Sequence, residues 1–265
     1  MKKIIALALT VCVLLCCAAC QKSPDAREIY SSASGITSML VYQKFDLSVD
    51  SVLSSNGKET PSGIDLYCKF IKENGKITSY YSERMLTLAN EESTVTAKYF
   101  QHYIKGTVYQ TFSTNMMKHT LSAEDFAKKY PDLGSFIIAL PDGALDGIDA
   151  SKNADGGHAF TVSVNTDLLS DSDKGKLLKI AELYGQASFD GDISLGSSLS
   201  VSASTTYDGY FDEYSLSFDV SGKIDGKDAT LSLNTSLKIL YAGSQFVIEP
   251  PSKMSDYTEG SLDIG

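Results

Sequence analysis

The spacing of apolar residues changes along the chain, and each change marks a new element. Residues 25–40 place Ala26, Ile29, Ala33, Ile36 and Leu40 three or four apart, the period of one helical face, with Pro24 where a helix begins and Gly35 weakening its middle. From Val41 the period falls to two. Val41, Phe45, Leu47, Val49 and Leu53 alternate with Tyr42, Lys44, Asp46, Ser48 and Asp50, which predicts a long strand with one buried face.

Two further strands, residues 64–73 and 76–88, meet at Asn74-Gly75, a pair that tolerates positive φ at both positions and so predicts a two-residue hairpin. Counting outward sets Phe70 opposite Ser79, Cys68 opposite Tyr81, Leu66 opposite Glu83 and Ile64 opposite Met85. The other face then pairs Lys69 with Tyr80 and Asp65 with Arg84. This register puts Tyr81 and Glu83 on the apolar side. Residues 94–113 read as extended, with Lys105-Gly106 as a turn or bulge. Ser122 three residues before Asp125 resembles a capping box and predicts a short helix over 123–130. Residues 131–157 carry an apolar run, 136–140, then Pro141 and an acidic loop with Asp142, Asp146, Asp149 and Asp155, and predict no clear element. A further helix starts at Asp171 to Asp173 and runs through Leu177, Leu178, Ala181 and Tyr184 to Gly185.

The last third carries two hairpin signals that test one another. Asp208-Gly209 pairs Leu199 with Phe218, Val201 with Leu216, Ala203 with Tyr214 and Tyr207 with Tyr210. Asp225-Gly226 pairs Val220 with Leu231, Phe218 with Leu233, Leu216 with Thr235 and Tyr214 with Leu237. On the opposite face Ser202 meets Ser215, Ser217 meets Asn234 and Glu213 meets Lys238. The two turns agree on one meander, dry on one side and wet on the other. All six prolines, at 24, 61, 131, 141, 250 and 251, fall outside these predicted strands. Strands of this length curl, and three helices are available to cover the concave face, which defines an α+β fold with a long-stranded curved antiparallel sheet.

The N-terminus carries an address. MKKIIALALTVCVLLCCAAC has two lysines, an apolar run too short to span a bilayer comfortably, and small residues before a cysteine, the order of a secretory signal. Cys17-Ala18-Ala19-Cys20 resembles a bacterial lipobox, which implies cleavage after residue 19 and a lipid on Cys20; ordinary signal-peptidase cleavage is the alternative. The expected organisation is a signal peptide over 1–19, a lipidated tether over 20–24, one domain over 25–251 and a tail over 252–265. Five extended residues reach only about 17 Å, so the body would ride close to the membrane.

Charge narrows the partners. The whole chain has 23 Lys+Arg against 33 Asp+Glu, a net charge of -10; without residues 1–19 the balance is 21 against 33, or -12. Nothing in it gathers phosphates or holds an anionic surface, so no nucleic-acid partner is expected and membrane attachment falls to the lipid. Four of the five cysteines, Cys12, Cys16, Cys17 and the lipid-bearing Cys20, lie in the first twenty residues, which leaves Cys68 alone in the body and excludes a disulfide framework within one mature chain.

A lipobox, one helix, long antiparallel strands, an interrupting helical region and more strands closing on Ile248-Glu249-Pro250-Pro251 together resemble the half-barrel lipoproteins of the LolA, LolB and LppX superfamily, clostridial-type relatives of unassigned function in particular. The resemblance covers about residues 24–250. It implies an unclosed half-barrel with helices as a lid over a cavity that carries acyl chains in some relatives. It brings no catalytic residue with it.

A search for chemistry agrees. His102, His119 and His158 have no metal spacing. Ser55-Asn56-Gly57-Lys58 and Ser113-Thr114-Asn115 match two elements of penicillin-binding enzymes, but the third is missing and Ser55 falls in a turn. Asp171, Asp173 and Glu182 match a calcium-loop template only in part, and acids at a helix N-terminus explain them more simply. The expectation is therefore a non-enzymatic lipoprotein without metal or cofactor that binds a fatty acid, phospholipid or other apolar ligand. The expected cavity is lined by Phe45, Leu47, Leu66, Cys68, Phe70, Tyr81, Glu83, Val201, Ala203, Leu216, Phe218 and Leu233, with Glu83 beside Tyr81 facing a head group. The alternative is a surface interaction or sensory module with a filled core, acting through exterior tyrosines (Tyr42, Tyr67, Tyr80) or the acidic loop.

Overall fold

The computed structural model describes residues 25–262 apart from 90–93, 147, 149 and 243–244. The leader, Cys20 and Pro24 lie outside the described residues, as does Asp149. In chain order the elements are α1 (Ala26–Ser38), β1 (Tyr42–Ser55), β2 (Lys58–Glu73), β3 (Lys76–Ala89), β4 (Thr94–Ile104), β5 (Thr107–Phe112), β6 (Asn115–Thr120), α2 (Ala123–Lys129), α3 (Leu133–Phe136), β7 (Ser151–Lys152), β8 (His158–Asn165), α4 (Asp171–Tyr184), β9 (Ser194–Thr205), β10 (Phe211–Ile224), β11 (Lys227–Ala242) and β12 (Thr258–Glu259). The strands form one sheet in the order β12-β6-β5-β4-β3-β2-β1-β11-β10-β9-β8-β7. Its two edges do not meet, so the architecture is a curved, unclosed α+β half-barrel. All pairs are antiparallel except β12 on β6, which is parallel.

Two meanders, β1 to β6 and β8 to β11, are joined where β1 pairs with β11. Their tight turns come from paired positive φ values, 52° and 75° at Asn74-Gly75 and 51° and 72° at Asp225-Gly226. The β10–β11 register follows the Asp225-Gly226 count throughout, with Phe218 opposite Leu233 and Glu213 opposite Lys238. Between β9 and β10 the expected pairs Ala203–Tyr214, Val201–Leu216 and Leu199–Phe218 also form. The turn itself is longer than two residues, because Thr206 N–H bonds the Tyr210 carbonyl at 3.0 Å and a bulge at Phe211 to Glu213 absorbs the difference; Tyr207 is exposed and unpaired across the hairpin.

The β2–β3 hairpin departs from its count. Glu73 pairs with Lys76 and Lys72 with Ile77, but Ile71 then pairs with Ser79, so Thr78 is an extra residue in a bulge and its hydroxyl donates to the Ile71 carbonyl at 3.3 Å. Every pair beyond it slips by one: Phe70 meets Tyr80, Cys68 meets Ser82, Leu66 meets Arg84 and Ile64 meets Leu86. A one-residue slip exchanges the faces of the strand. Tyr80 therefore turns inward and is buried, while Tyr81 and Glu83 turn outward, against the expectation for all three.

Two further expectations are corrected. Pro61 lies inside β2, which begins at Lys58; it sits beyond the last β2–β3 pair, Ser62 with Leu88, where the missing donor breaks no ladder on that side. Residues 252–262 are not a free tail. The segment from 245 crosses the outer face, β12 pairs with β6, and Gly260 N–H bonds the Lys118 carbonyl at 2.9 Å, so the chain end caps an otherwise open sheet edge.

The helical layer covers the inner face of β1, β2 and β8 to β11. Tyr30 of α1 shares a 2.8 Å hydrogen bond with Tyr214 of β10, and the Tyr30 hydroxyl also donates to the Ile138 carbonyl. Burial holds both phenols protonated, Tyr214 pushed up to about 12. Ile137 and Ile138, from the stretch without predicted structure, are buried as extended cover beside α3. Ser122 and Ser170 cap α2 and α4 through the N–H groups of Asp125 and Asp173, each at 3.1 Å.

Candidate functional site

Phe45, Leu47, Leu66, Cys68, Phe70, Val201, Ala203, Leu216, Phe218 and Leu233 all face inward, and none is more than 6% exposed. They form the packed core under α1, α3 and α4, with Leu66 at the edge of open space on the inner face. Cys68 is sealed there, its Sγ 3.8 Å from the Tyr80 hydroxyl, and burial pushes its thiol well above the usual range. Such a thiol is inert.

Open space on the inner face lies on the other half of the sheet, over β3 to β5. There the inward rows are no longer uniformly apolar. Ser82, Gln101 and Gln110 stand side by side on β3, β4 and β5 and are all buried; one row further along stand Arg84, Tyr99 and Phe112, then Leu86 and Ala97, then Leu88 and Val95. The main cover here is α2, a seven-residue helix with one buried residue, Phe126, whose ring stacks on Tyr103 with centroids 4.1 Å apart. Between this helix, the end of α4 and the sheet lies a cleft of about 100 Å³, bounded by Leu66, Ser82, Arg84, Gln101, Tyr130 and Tyr184 among others.

The cleft has an uneven hydrogen-bond account. The Gln110 amide is satisfied at both ends by the backbone of Leu262, accepting from its N–H at 3.0 Å and donating to its carbonyl at 3.4 Å. Gln101, one strand further in, is 4% exposed, and among the described residues neither its Nε2 nor the Tyr130 hydroxyl has a hydrogen-bond partner. A buried donor without a partner costs about 1–3 kcal/mol. Burial raises the Tyr184 phenol far above its ordinary value, against the opposing pull of the Arg84 guanidinium.

The outer face holds a second space of about 610 Å³ between the sheet and the segment 247–257, walled by Tyr67, Tyr81, Phe100, His102, Pro250 and Tyr257 among others. Tyr81 donates to Glu83 at 2.6 Å, Lys98 reaches Glu83 at 2.8 Å, and the Lys69 ammonium lies 5.7 Å and 5.6 Å from the Tyr67 and Tyr81 ring centres. The hydrogen bonds from Lys98 and Tyr81 hold the Glu83 carboxyl below its ordinary value, and burial lowers His102 to about 4. Glu83 thus serves an ion-paired outer network. Among the described residues no group of three or more His, Cys, Asp or Glu is gathered for a metal, and no helix is long and apolar enough to cross a membrane.

The inward placement of Ser82 and Arg84 was hidden by the bulge at Thr78. One signal was available: Tyr80, Ser82, Arg84, Leu86 and Leu88 end in two leucines, whereas the opposite register puts Glu83 among the core residues. Gln101 had no such signal, because both faces of β4 are partly covered and neither is uniformly apolar.

No family model and no curated protein matches the sequence. Among solved structures, the chain is similar to LprF from Mycobacterium bovis, at 12% identity and a TM-score of 0.34, over 86% of this chain and 98% of that one. It is also similar to a LolA superfamily protein from Nitrosomonas europaea, at 8% identity and a TM-score of 0.26, over 88% and 97%. A DUF1329 family protein from Desulfovibrio piger matches at 13% and 0.25, over 82% and 94%.

Proposed function

We propose that the protein is a membrane-tethered, non-enzymatic extracytoplasmic binding protein that takes an apolar or amphipathic ligand at the open inner cleft over β3 to β5. The observation that carries this reading is the apolar strip of Leu86, Leu88, Val95, Ala97, Tyr99 and Phe112, which runs out from the cleft with Leu88 44% and Val95 57% exposed. A contiguous apolar surface on an inner, concave face is a place for a partner rather than for water. The core positions expected to line a cavity are filled, so the room lies beside them, at the half of the sheet with the thinnest cover.

The test is native mass spectrometry of the body from Gln21 onward, which holds every described strand and the whole core. Adducts of a few hundred daltons that vanish on organic extraction, together with uptake of a fluorescent fatty acid blocked by Ala97→Trp, are the expected result. A ligand-free protein that takes up no probe would sink the reading. The space under 247–257 favours a second reading, an interaction module that engages a partner at its outer aromatic wall. Binding of a surface partner lost on Tyr67→Ala and kept on Ala97→Trp would select it.

A further inference from the structure

The two edges of the sheet are finished differently. At one, β12 pairs with β6 and caps it; at the other, β7 covers only His158 and Ala159 of β8, pairing Lys152 with the first and Ser151 with the second. The Ser151 hydroxyl donates to the Ala159 carbonyl at 2.9 Å, whereas His158 N–H donates to Thr205 on the β9 side at 3.0 Å. Odd-numbered residues of β8 therefore turn their backbone groups toward the edge. The N–H and C=O groups of Thr161 and Ser163 and the N–H of Asn165 point outward, and no strand among the described residues follows them there. Such an edge is ordinarily blunted by charge, proline or a bulge. Residues 156–166 contain no Asp, Glu, Lys, Arg or Pro, and the β8–β9 register runs without a shift.

We propose that this edge receives a second copy of the chain, by antiparallel pairing of β8 with β8 about a two-fold axis at Ser163. The free groups select both occupant and register. They are centred on Ser163, so the axis lets Ser163 and its counterpart exchange two hydrogen bonds while each Asn165 N–H reaches the Thr161 carbonyl across it. The partner strand ends at Asn165, before the helical turn at 166–168, and stops short of β7. The same register lays buried Val162 beside buried Val164 on the inner face and sets only uncharged side chains opposite one another on the outer one. A chain of net charge -10 thus meets itself here without setting acid against acid. The edge lies at the far end of the sheet from the cleft over β3 to β5, so the pairing leaves both clefts open and does not rest on how they are used.

Sedimentation velocity of the body from Gln21 onward, over about 5 to 300 µM, should show a monomer–dimer equilibrium. Ser163→Pro removes the central donor without touching the ladder to β9 and should abolish the dimer. Charge reads the axis itself. In Ser163→Lys or Ser163→Glu the new charge faces its own copy, so each variant alone should dimerise about three- to tenfold more weakly. An equimolar mixture of the two should recover the unmodified affinity or exceed it, because Lys then faces Glu. Both side chains stand on the exposed face, so folding is retained, which circular dichroism checks. If Ser163→Pro fails to fold, the Lys and Glu variants decide alone. A chain still monomeric at about 300 µM overturns the proposal. So does a dimer that a folded Ser163→Pro leaves intact, or a mixture that associates no more tightly than either charged variant by itself.

Discussion

Phe126 is the residue on which cover of the cleft depends. It is the one buried side chain of α2, with its ring stacked on Tyr103 and set against Tyr80 and Tyr130 at centroid distances of 5.2 Å and 4.5 Å. A seven-residue helix is not stable alone in water, so this contact and the Ser122 cap are what fix it. Phe126→Ala removes a fully buried aromatic ring, a change that costs about 3–5 kcal/mol where the surroundings stay in place. Here they need not stay. If α2 lifts away, the loss stops at the free energy of docking the helix, and Tyr130 leaves the cleft with it.

Urea denaturation should therefore show a loss of about 2–4 kcal/mol, with Phe126→Leu recovering about half. Native-state hydrogen exchange should show residues 123–130 losing protection while β9 to β11 keep theirs. Ligand uptake should become faster as the cover opens. A loss below about 1 kcal/mol, or a uniform fall in protection across the sheet, would refute the idea that one aromatic anchor holds this cover.

Three other outcomes follow from the placement of single residues. Leu233→Asp should abolish folding, since it buries a carboxylate opposite Phe218 at a cost of several kcal/mol, whereas Asn234→Asp keeps the acceptor for Ser217 and should shift stability by less than about 0.5 kcal/mol; circular dichroism melts decide. His102 is held neutral by burial, with its pKa lowered from 6.5 to about 4, so the unfolded chain binds the extra proton between those values. Stability from this group is complete above pH 6.5 and falls as pH drops toward 4, by about 1–2 kcal/mol after allowing for its partial exposure, and His102→Gln should remove that part of the slope in pH-dependent denaturation. Cys20→Ser should abolish acyl labelling of the full chain; an N-terminal mass without diacylglycerol on the natural chain would remove the anchor.

The legible part of the fold was the part where one face is dry and one wet. In β9 to β11 the inner residues are apolar apart from Thr205 and Thr235, each hydrogen-bonded to a backbone N–H, so two turns and one alternation suffice to set the central pairs. The β2–β3 hairpin has an equally strong turn, yet a single extra residue three positions beyond it reversed both faces. Turn chemistry fixes where a hairpin begins, but a bulge further along obeys packing that only the third dimension supplies: Ile77 and Tyr80, three apart, both have to face inward, beneath α2 and beside Phe70. Residues 131–157 were illegible for a different reason. Ile137 and Ile138 are buried without a period because they cover the core as extended chain, tied by the Tyr30 and Tyr214 hydroxyls rather than by a ladder.

The candidate site was misread by the same residue, and the error is informative about where function sits. Had the expected register held, Glu83 would be a lone carboxylate in the core, and a ligand would have been sought among residues that are in fact sealed. With the bulge, the inner face divides into two regions under one set of rules. Over β9 to β11 buried polar groups are few, and the two present, Thr205 and Thr235, accept from the backbone N–H groups of His158 and Leu216. Over β3 to β5 a row of Ser82, Gln101 and Gln110 is buried together, and its members are satisfied in different ways: Gln110 by the Leu262 backbone, Gln101 Nε2 by no group among the described residues. A leucine at 101 would remove that cost, and the neighbouring strands show that the sheet accepts apolar residues at equivalent positions. A buried donor kept open beside a guanidinium, at the mouth of an uncovered apolar strip, is consistent as a binding site and costly as a core, which is why the cleft, and not the larger space under the chain end, carries the functional reading.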